Sequence, residues 1–309
     1  ARRIVDAVDR GHRRVVPGWS QRGVDVLGRR LSFIVDRNRR PEPTAESRDE
    51  CWAITGFADG IGRALAREIA GTRSASIVGI DRDESRARAT AAELRERDTR
   101  CEVVLADLAV PTDRSAIVDR IGEGARLSGF VHNAGISAFG PFLESDPSHI
   151  AAVIAVNLEA PLVLTADLLR QGRADRHTRW VFVSSLSEKT GYPGASVYAA
   201  TKAALASFAR SLRGQGYCVT TVQPGPTRTE HARRYSPDNR REHRRMDPAR
   251  LAREVHRAVE RHRREVVPGF GPRLLAVFGS WAPTLSRRLL ARALLPPPRS
   301  GEVERSVGR

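Results

Sequence analysis

The stretch Trp52-Ala-Ile-Thr-Gly-Phe-Ala-Asp-Gly-Ile-Gly62 decides the fold of this chain. Apolar residues up to Thr55 predict a short buried strand, and a helix is predicted to begin at Gly60. A glycine at position 56 permits a tight turn, Gly60 lets the backbone approach a pyrophosphate, and Gly62 lets the helix pack closely on the strand. Three glycines placed between a strand and a helix therefore predict a dinucleotide-binding βα unit.

From this unit onward, strand and helix patterns alternate along the chain. Short apolar runs predict strands at 51–55, 76–80, 103–106, 129–132, 180–184, 218–223 and 266–268. Helices are predicted at 60–70, 84–97, 113–123, 147–170, 198–213 and 250–264, and the Arg-dense segment 226–250 is predicted as a loop or helical lid. This alternation predicts an α/β fold of the three-layer Rossmann type, a doubly wound parallel sheet of about seven strands with extra basic helical segments at both ends.

The positive charge of the chain lies in its flanks. The 309 residues carry a formal net charge of +16 and are 40% hydrophobic, which is enough for a packed core. Residues 1–50 carry +4, residues 51–225 carry +1, and residues 226–309 carry +11. No nucleic-acid-binding motif accompanies these arginines, so nucleic-acid binding is not expected. A peripheral contact of the basic flanks with an anionic membrane is left open.

Cysteine usage and the amino-terminal residues bear on the compartment. The three cysteines, Cys51, Cys101 and Cys218, are scattered. Their odd number and spacing predict neither a disulfide framework nor a metal site, and they favour a reducing compartment. The first residues do not read as a secretory signal, and the lack of any run of about 18 uninterrupted apolar residues argues against a spanning helix. We therefore expect a cytoplasmic protein, with a place at the inner face of the membrane left open.

A repeat links the two ends of the chain. Residues 1–19 align without a gap to residues 252–270, and the Val-Val-Pro-Gly at 15–18 recurs at 266–269. Two explanations stay open: two similar amphipathic helices, or an amino-terminal piece that is the tail of a preceding, related domain. The expected organisation is a basic segment and linker over 1–49, a dinucleotide-binding catalytic domain over 50–272, and a basic amphipathic tail over 273–309.

An acidic residue follows the second predicted strand and bears on the choice of cofactor. Asp81 stands 19 residues after Gly62, where a carboxylate accepts hydrogen bonds from the adenosine ribose and repels a 2′-phosphate. Asp59, inside the glycine loop, adds to that repulsion, whereas the guanidinium of Arg82 favours a phosphate. The alternative for Asp81 is a helix cap. The balance predicts NAD, with NADP left open.

Tyr198 and Lys202 stand four residues apart on a predicted helix, so their side chains share one face. An ammonium near a phenol favours the phenolate, which suits acid–base work on an alcohol or ketone near neutral pH. Lys202 is one of only two lysines among 52 basic residues, and arginine cannot replace a compact ammonium of tunable pKa. Ser185 lies thirteen residues before Tyr198, at the end of the fifth predicted strand, and is placed to hydrogen-bond the same substrate oxygen.

Together these motifs resemble the short-chain dehydrogenase/reductase family over about residues 50–270. The residues from Thr55 to Gly62 match the cofactor loop of that family, and Tyr198, Lys202 and Ser185 match its active-site triad. The further matches are Asp107-Leu108 beside the adenine, Asn133-Ala134-Gly135 in the central sheet, Asn157 on a helix, and Pro224-Gly225 with Thr229 near the nicotinamide.

The chain departs from the family pattern at a few positions. His132 stands where Asn is commoner, and Phe57 stands in the cofactor loop where smaller residues are frequent, so the adenosine side is expected to be packed differently. Residues 1–49 lie outside the usual family domain.

The resemblance implies reversible hydride transfer between a nicotinamide and a secondary alcohol or ketone. Tyr198 would exchange the proton, Lys202 would lower its pKa and hold the nicotinamide ribose, Ser185 would orient the substrate oxygen, and Asn157 would support a proton relay. The expected catalytic residues are Ser185, Tyr198, Lys202 and Asn157, and no metal is expected. The expected cofactor-binding residues are Thr55, Gly56, Asp59, Gly60, Ile61, Gly62, Asp81, Arg82, Asp107, Leu108, Asn133, Ala134, Gly135, Tyr198, Lys202, Pro224, Gly225 and Thr229.

The substrate and the assembly are less determined. Phe139, Phe142 and Tyr192 are candidates for an apolar pocket, with packing in the core as the favoured alternative for each. The basic, amphipathic carboxy-terminal segment favours a lipid-like or steroid-like alcohol or ketone. An acyl substrate linked to coenzyme A or to a carrier, and a non-catalytic NAD(P)-sensing module, are the alternatives. The resemblance also implies a homodimer or homotetramer formed through the long helices 147–170 and 198–213.

Overall fold

Seven parallel strands form one sheet in the order β3-β2-β1-β4-β5-β6-β7. The computed structural model describes residues 50–71, 75–122, 126–137, 139–190, 194–235, 239–240 and 242–269. The expectations for residues 1–49 and 273–309, and for the first copy of the repeat, fall outside this part of the chain. The strands are β1 (Glu50–Thr55), β2 (Ala75–Asp81), β3 (Cys101–Leu105), β4 (Gly129–His132), β5 (Arg179–Val183), β6 (Val219–Val222) and β7 (Glu265–Val266).

Helices cover both faces of the sheet and confirm the predicted α/β class. They are α1 (Gly60–Ala70), α2 (Glu84–Arg95), α3 (Pro111–Gly122), α4 (Pro147–Ile154), α5 (Ala160–Arg170), α6 (Ser187–Thr190), α7 (Ser196–Gly214), α8 (Glu230–Tyr235) and α9 (Pro248–Glu260). Short 3₁₀ turns cover Phe142–Glu144 and Glu242–Arg244. The segment predicted as a loop or lid therefore holds the short helix α8 and one 3₁₀ turn.

The position of β1 between β2 and β4 creates the crevice of the fold. The chain runs outward from β1 to β3 on one side and then crosses to β4 on the other. At such a switch point the loops after two neighbouring strands diverge, and ligands bind at the carboxyl ends of those strands. The glycine loop follows β1 and the Asn-Ala-Gly motif follows β4, so the sheet brings these two motifs together.

Alternate residues of each strand feed two apolar layers. Trp52 and Ile54 of β1 pack with the layer that contains α1 and α9, whereas Ala53 packs with the layer that contains α3, α5 and α7. Because both faces of the sheet are covered, residues pointing either way must be apolar. This explains why strands such as Trp180-Val-Phe-Val183 are apolar throughout.

The predicted helix 147–170 is interrupted in the middle. Residues Ala155–Glu159 form a π-helical turn between α4 and α5. By length and composition, Pro147–Arg170 is the one described helix that could cross a membrane, a possibility that the count of uninterrupted apolar residues had missed. In its most apolar 18 residues, 44% are buried inside the protein, and the π turn packs against α7.

His132 lies at the centre of a buried aromatic stack. Its ring centroid is 4.8 Å from that of Phe182 and 4.4 Å from that of Phe130, and its Nε2 lies 3.0 Å from Thr165 Oγ1. The Thr165 hydroxyl donates to the Pro161 carbonyl, so the imidazole must donate to Thr165. Burial lowers the pKa of His132 to about 3.

We expect His132 to make the fold sensitive to acid. The unfolded imidazole takes up a proton below its ordinary pKa of 6.5, whereas the folded one stays neutral down to about 3. The contribution of the neutral His132 ring to the free energy of unfolding is therefore complete above pH 6.5. It is lost as the pH falls, by about 2 kcal/mol between pH 7 and pH 5. The variant His132→Phe keeps an aromatic ring in the stack, and its unfolding free energy should fall by about 2 kcal/mol less over that interval. Urea unfolding at both pH values measures this, and equal losses in parent and variant would refute it.

Candidate active site

The glycine loop turns sharply after β1 and leads into α1. Gly56 has a φ of +66° and donates its N–H to the Ile80 carbonyl over 2.9 Å, which ties the loop to the end of β2. A Cβ on Gly62 would lie only 2.0 Å from the Gly56 carbonyl oxygen. The first turn of α1 therefore lies directly against the loop, with its free N–H groups at the carboxyl edge of the sheet.

The Asn-Ala-Gly motif holds this loop in place from β4. Asn133 Nδ2 donates to the carbonyl oxygens of Thr55 and Gly56 over 3.0 and 3.1 Å. The backbone N–H groups of Asn133 and Ala134 donate to Thr55 Oγ1 over 3.0 and 3.1 Å. Strands β1 and β4 are thereby locked at the point where the crevice opens.

Carboxylates occupy the predicted adenosine side of the crevice. Asp81 accepts hydrogen bonds from the backbone N–H groups of Ala58 over 2.9 Å and of Asp83 over 3.1 Å. The N-cap of α2 is Asp83, not Asp81, because the Asp83 side chain accepts the Arg86 N–H over 3.0 Å. The helix-cap alternative for Asp81 is therefore wrong, and its carboxylate instead fixes the glycine loop.

The arginines on this side are paired with acids. Arg82 lies 3.6 Å from Asp107, and Arg86 lies 3.9 Å from Asp59. Leu108, next to Asp107 in the sequence, is buried in the apolar layer that contains α3, α5 and α7. The guanidinium groups that would favour a phosphate are thus partly neutralised by carboxylates in this structure.

Two other residues of the cofactor loop point into the protein. Ile61 packs against the apolar layer that contains α1. The ring of Phe57 is fully buried against Gly79 of β2, where a Cβ would lie 2.4 Å from the ring. A large side chain fits in this loop because the facing strand supplies a glycine.

Tyr198 and Lys202 lie together on α7, at the same edge of the sheet. The Lys202 side chain is only 3% exposed, and its Nζ lies 5.7 Å from the centre of the Tyr198 ring. Nζ donates to the Val183 carbonyl at the end of β5 over 2.8 Å. Burial lowers the pKa of Lys202 to about 8, against the opposing effect of the Glu188 charge.

Asn157 lies in the π turn and joins the Asn-Ala-Gly loop to α7. Its side chain accepts the Ile136 N–H over 2.9 Å and donates to the Ile136 carbonyl over 2.8 Å and to Thr201 Oγ1 over 3.2 Å. A Cβ on Gly135 would lie 3.2 Å from Asn157 Oδ1 and 3.3 Å from Lys202 Nζ. Isolated π turns are often found at functional sites, and here the turn faces the predicted catalytic lysine.

Ser185 lies just beyond β5. It is half-buried, and its hydroxyl accepts the Ser187 N–H over 3.2 Å. The hydroxyl oxygen of the neighbouring Ser184 lies 3.0 Å from the Lys202 carbonyl oxygen, so the end of β5 lies directly against α7. The Pro224 carbonyl accepts the Leu186 N–H over 3.2 Å, so the loop after β6 lies beside this serine pair.

The sequence pattern described as short chain dehydrogenase matches residues 50–240. The chain belongs to the short-chain dehydrogenase family.

Two curated proteins and one solved structure illustrate what the chain is similar to. L-xylo-3-hexulose reductase of Hypocrea jecorina is 32% identical over 199 residues, which are 56% of this chain and 65% of that protein. Oxidoreductase UcpA of Escherichia coli is 30% identical over 216 residues, which are 68% of this chain and 80% of that protein. The solved short-chain dehydrogenase of Sphingobium yanoikuyae, in complex with NADPH, superposes with a TM-score of 0.66 at 26% identity and covers 82% of this chain and 98% of its own. Among similar solved structures, a short-chain dehydrogenase of Burkholderia cenocepacia (27% identical) is a complex with NADP and one of Burkholderia phymatum (22% identical) is a complex with NAD, and the chain shares their fold.

The segment after β6 reaches the glycine loop of this short-chain dehydrogenase. The Gly225 carbonyl accepts the Thr227 hydroxyl over 3.0 Å. Thr229 is buried, and its methyl group would lie 3.0 Å from a Cβ placed on Gly60. The Thr229 hydroxyl accepts the Ala232 N–H over 3.1 Å at the start of α8. A cavity of about 310 Å³ lies beside the loop. Residues of the glycine loop, α1, α2 and α8 line it: Ala58, Asp59, Arg63, Arg86, Ala89, Thr90, Glu230 and Arg233.

Two residues that the sequence analysis missed lie in this site. The ring of His231 of α8 lies 6.2 Å from that of Tyr198, and the residue hydrogen-bonds the Gly135 backbone while staying exposed to solvent. Partial desolvation of the ring, followed by the charge of Lys202, lowers the pKa of His231. Glu188 of α6 contacts Ser184 at the end of β5, and its charge acts on Lys202. Neither belongs to a family motif, so only the position of His231 two residues after Thr229 could have drawn notice. Among the described residues, no group of three or more His, Cys, Asp or Glu side chains could hold a metal.

Proposed function

We propose that this protein is an NAD-dependent dehydrogenase/reductase that interconverts a secondary alcohol and a ketone, with Tyr198 as its acid and base. The observation that carries the proposal is the buried Lys202 ammonium beside the Tyr198 ring, at the edge of the sheet where the glycine loop opens. The intact pair disfavours a non-catalytic NAD(P)-sensing module.

The residues present fit a dinucleotide. Gly56 and Gly60 both have positive φ angles, and Gly62 leaves no room for a Cβ, so the loop and the first turn of α1 offer bare backbone to a pyrophosphate. In the proposed complex, Asp81 would lie beside the adenosine and Lys202 beside the nicotinamide ribose. When bound, NAD(P) would supply the hydride acceptor or donor.

The mechanism follows from what each side chain does to the substrate oxygen. Tyr198 takes a proton from the alcohol in oxidation and returns one to the carbonyl oxygen in reduction. The Lys202 ammonium stabilises the phenolate that this exchange requires. Ser185, at the end of β5, donates a hydrogen bond to the same oxygen and holds the reacting carbon in place. Asn157 positions Gly135 and α7 around the pair through its bonds to Ile136 and Thr201.

NAD is favoured over NADP by the two carboxylates on the adenosine side. Asp81 is held by two backbone N–H groups at the end of β2, and Asp59 lies in the loop itself. Both would repel a 2′-phosphate, whereas Arg82 and Arg86 already have acidic partners.

The variant Asp59→Asn should raise the use of NADP relative to NAD. Two exposed charges about 4 Å apart interact by about 1 kcal/mol in water, which is about fivefold in the ratio of kcat/KM values. The change also frees Arg86 from its 3.9 Å ion pair. Steady-state kinetics with both cofactors measures the ratio, and Asp119→Asn on the exposed side of α3 is the matched control. An unchanged ratio of the two kcat/KM values would show that Asp59 does not contribute to the choice between NAD and NADP.

An apolar, lipid-like or steroid-like substrate is supported by the loop after β4. Gly140 donates its N–H to the Gly194 carbonyl over 2.8 Å, and the Phe139 ring lies against Gly194, so this loop borders the start of α7 and Tyr198. In the next turn Phe142 is 61% exposed and Leu143 is 98% exposed. Exposed apolar side chains at the mouth of a cleft favour an apolar ligand.

Absorbance at 340 nm tests the proposed function. Parent protein with NAD or NADP should oxidise secondary alcohols from a series that runs from short-chain to steroid, and turnover should rise with apolar size. Coenzyme A-linked and carrier-linked 3-oxoacyl compounds form a second series. Turnover confined to the second series would replace the proposed substrate class, and no turnover with any alcohol or ketone would overturn the proposed function.

A further inference from the structure

Glu188 is a half-buried acid at the ends of β5 and β6, where it contacts Ser184, one residue along from the Val183 carbonyl that holds the Lys202 ammonium. Its Oε1 accepts Gln223 Nε2 over 2.8 Å, and its Oε2 accepts the Ser184 hydroxyl, which also lies 3.0 Å from the Lys202 carbonyl oxygen. Gln223 is fully buried at the end of β6, and Ser184 is buried at the end of β5. The carboxylate is therefore fixed by two strand ends, one of which lies against the backbone of Lys202.

The lysine itself lies in surroundings that disfavour its charge. It is almost fully buried, and its Nζ donates to a neutral carbonyl, that of Val183. Removing an ammonium from water favours the neutral amine unless an anion compensates. The groups that face Lys202 are Tyr198 on its own helix, Asn157 and Gly135 on the other side, His231 of α8 and Glu188 of α6. Of these, Glu188 is the carboxylate.

We propose that Glu188 is the counter-ion that keeps Lys202 protonated and is thereby a positioning residue for the Tyr198–Lys202 pair. The role assigned to Lys202 rests on the proposed function, but the electrostatic claim does not. Without the anion, the buried amine would lose its proton near neutral pH, and the phenolate of Tyr198 would lose its stabilising charge. The opposing interpretation is that Glu188 only ties the ends of β5 and β6 together through Ser184 and Gln223.

The composition of the chain allows a direct measurement on the lysine. The sequence holds only Lys189 and Lys202, so selective labelling of lysine with ¹³C at the ε carbon gives two NMR signals, and Lys189→Arg assigns them. A pH titration of the whole chain then reports the midpoint of Lys202. In Glu188→Gln we expect that midpoint to fall by about one pH unit, a tenfold change in the protonation equilibrium. The variant Glu188→Asp keeps the charge but shortens the side chain by one methylene. Its Lys202 midpoint should therefore lie between the midpoints of the parent and of Glu188→Gln.

Two further variants and an activity readout separate the interpretations. Glu96→Gln, exposed at the end of α2, is the matched control and should leave the midpoint unchanged. The alkaline limb of the pH profile of kcat/KM should move to lower pH in Glu188→Gln and recover partly in Glu188→Asp. A folded Gln variant with a lower melting temperature and an unmoved midpoint would overturn the proposal. Should the Gln variant not fold, an Asp variant that titrates like the parent would overturn it equally.

Failure of this inference is distinguishable from failure of the proposed function. If the Lys202 midpoint shifts as expected but the parent turns over no alcohol or ketone, the electrostatic claim stands and the oxidoreductase chemistry falls. If the parent is active and the midpoint does not move, the chemistry stands and Glu188 is only structural.

Discussion

Replacing Tyr198 with Phe should lower kcat about a thousandfold and leave the affinity for NADH within about twofold of the parent. The change removes one oxygen, the one that exchanges a proton with the substrate. Positioned acid–base groups contribute about 10²-fold to 10⁴-fold to a rate. The ring remains in place beside Lys202, and the Thr201 hydroxyl still donates to the Tyr198 backbone carbonyl over 2.8 Å. The loss should therefore be chemical rather than structural.

A matched substitution separates chemistry from packing. Tyr217 follows α7, away from the crevice, and is partly buried against the apolar layer that contains α3, α5 and α7. Tyr217→Phe removes the same atom from the same type of residue and should keep parental turnover. Rates at 340 nm, NADH fluorescence titration and thermal melting on both variants provide the comparison. Turnover by Tyr198→Phe at the parental rate would show that the proposed acid and base is wrong.

Much of the fold and part of the site could be predicted because their signals are local. Strands buried on both faces are apolar throughout, so β1 and β5 are visible as short runs in the sequence. The glycine loop, the Asn-Ala-Gly motif and the Tyr198–Lys202 pair are each contained within a few residues. These motifs lie at the carboxyl edge of the sheet, where the topology of a parallel α/β fold must bring them.

The parts that escaped prediction depend on tertiary packing. Glu188 lies in a four-residue helix, and its importance comes from Gln223 and Ser184, residues on two other segments. In the sequence, His231 is one histidine within an Arg-rich segment. Only the fold shows that α8 brings it close to Gly135 and Tyr198. The π turn around Asn157 has no pattern that distinguishes it from a continuous helix. Each is set by contacts between residues far apart in the chain, which a single sequence does not display.

The variant Gly62→Ala should bind NADH at least a hundredfold more weakly than the parent. Its Cβ would lie 2.0 Å from the Gly56 carbonyl oxygen and 2.7 Å from Asn133 Nδ2. Both neighbours are fixed, since Asn133 also holds Thr55 and Gly56 is bonded to β2. The helix α1 must therefore move away from the loop, and its N–H groups lose their place at the phosphate site. Overpacking of this kind also destabilises a fold by about 1–3 kcal/mol.

Gly214→Ala is the control because it makes the same chemical change where space is available. No atom lies within 4 Å of a Cβ at that position, at the end of α7. Alanine in a helix is favoured over glycine by about 0.5–1 kcal/mol, so this variant should melt at or slightly above the parental temperature and bind NADH normally. Calorimetric titration with NADH and thermal melting of both variants measure the contrast. If Gly62→Ala bound NADH as the parent does, the close contact between loop and helix would not be what shapes the cofactor site, and the bare backbone of that turn would lose its assigned role.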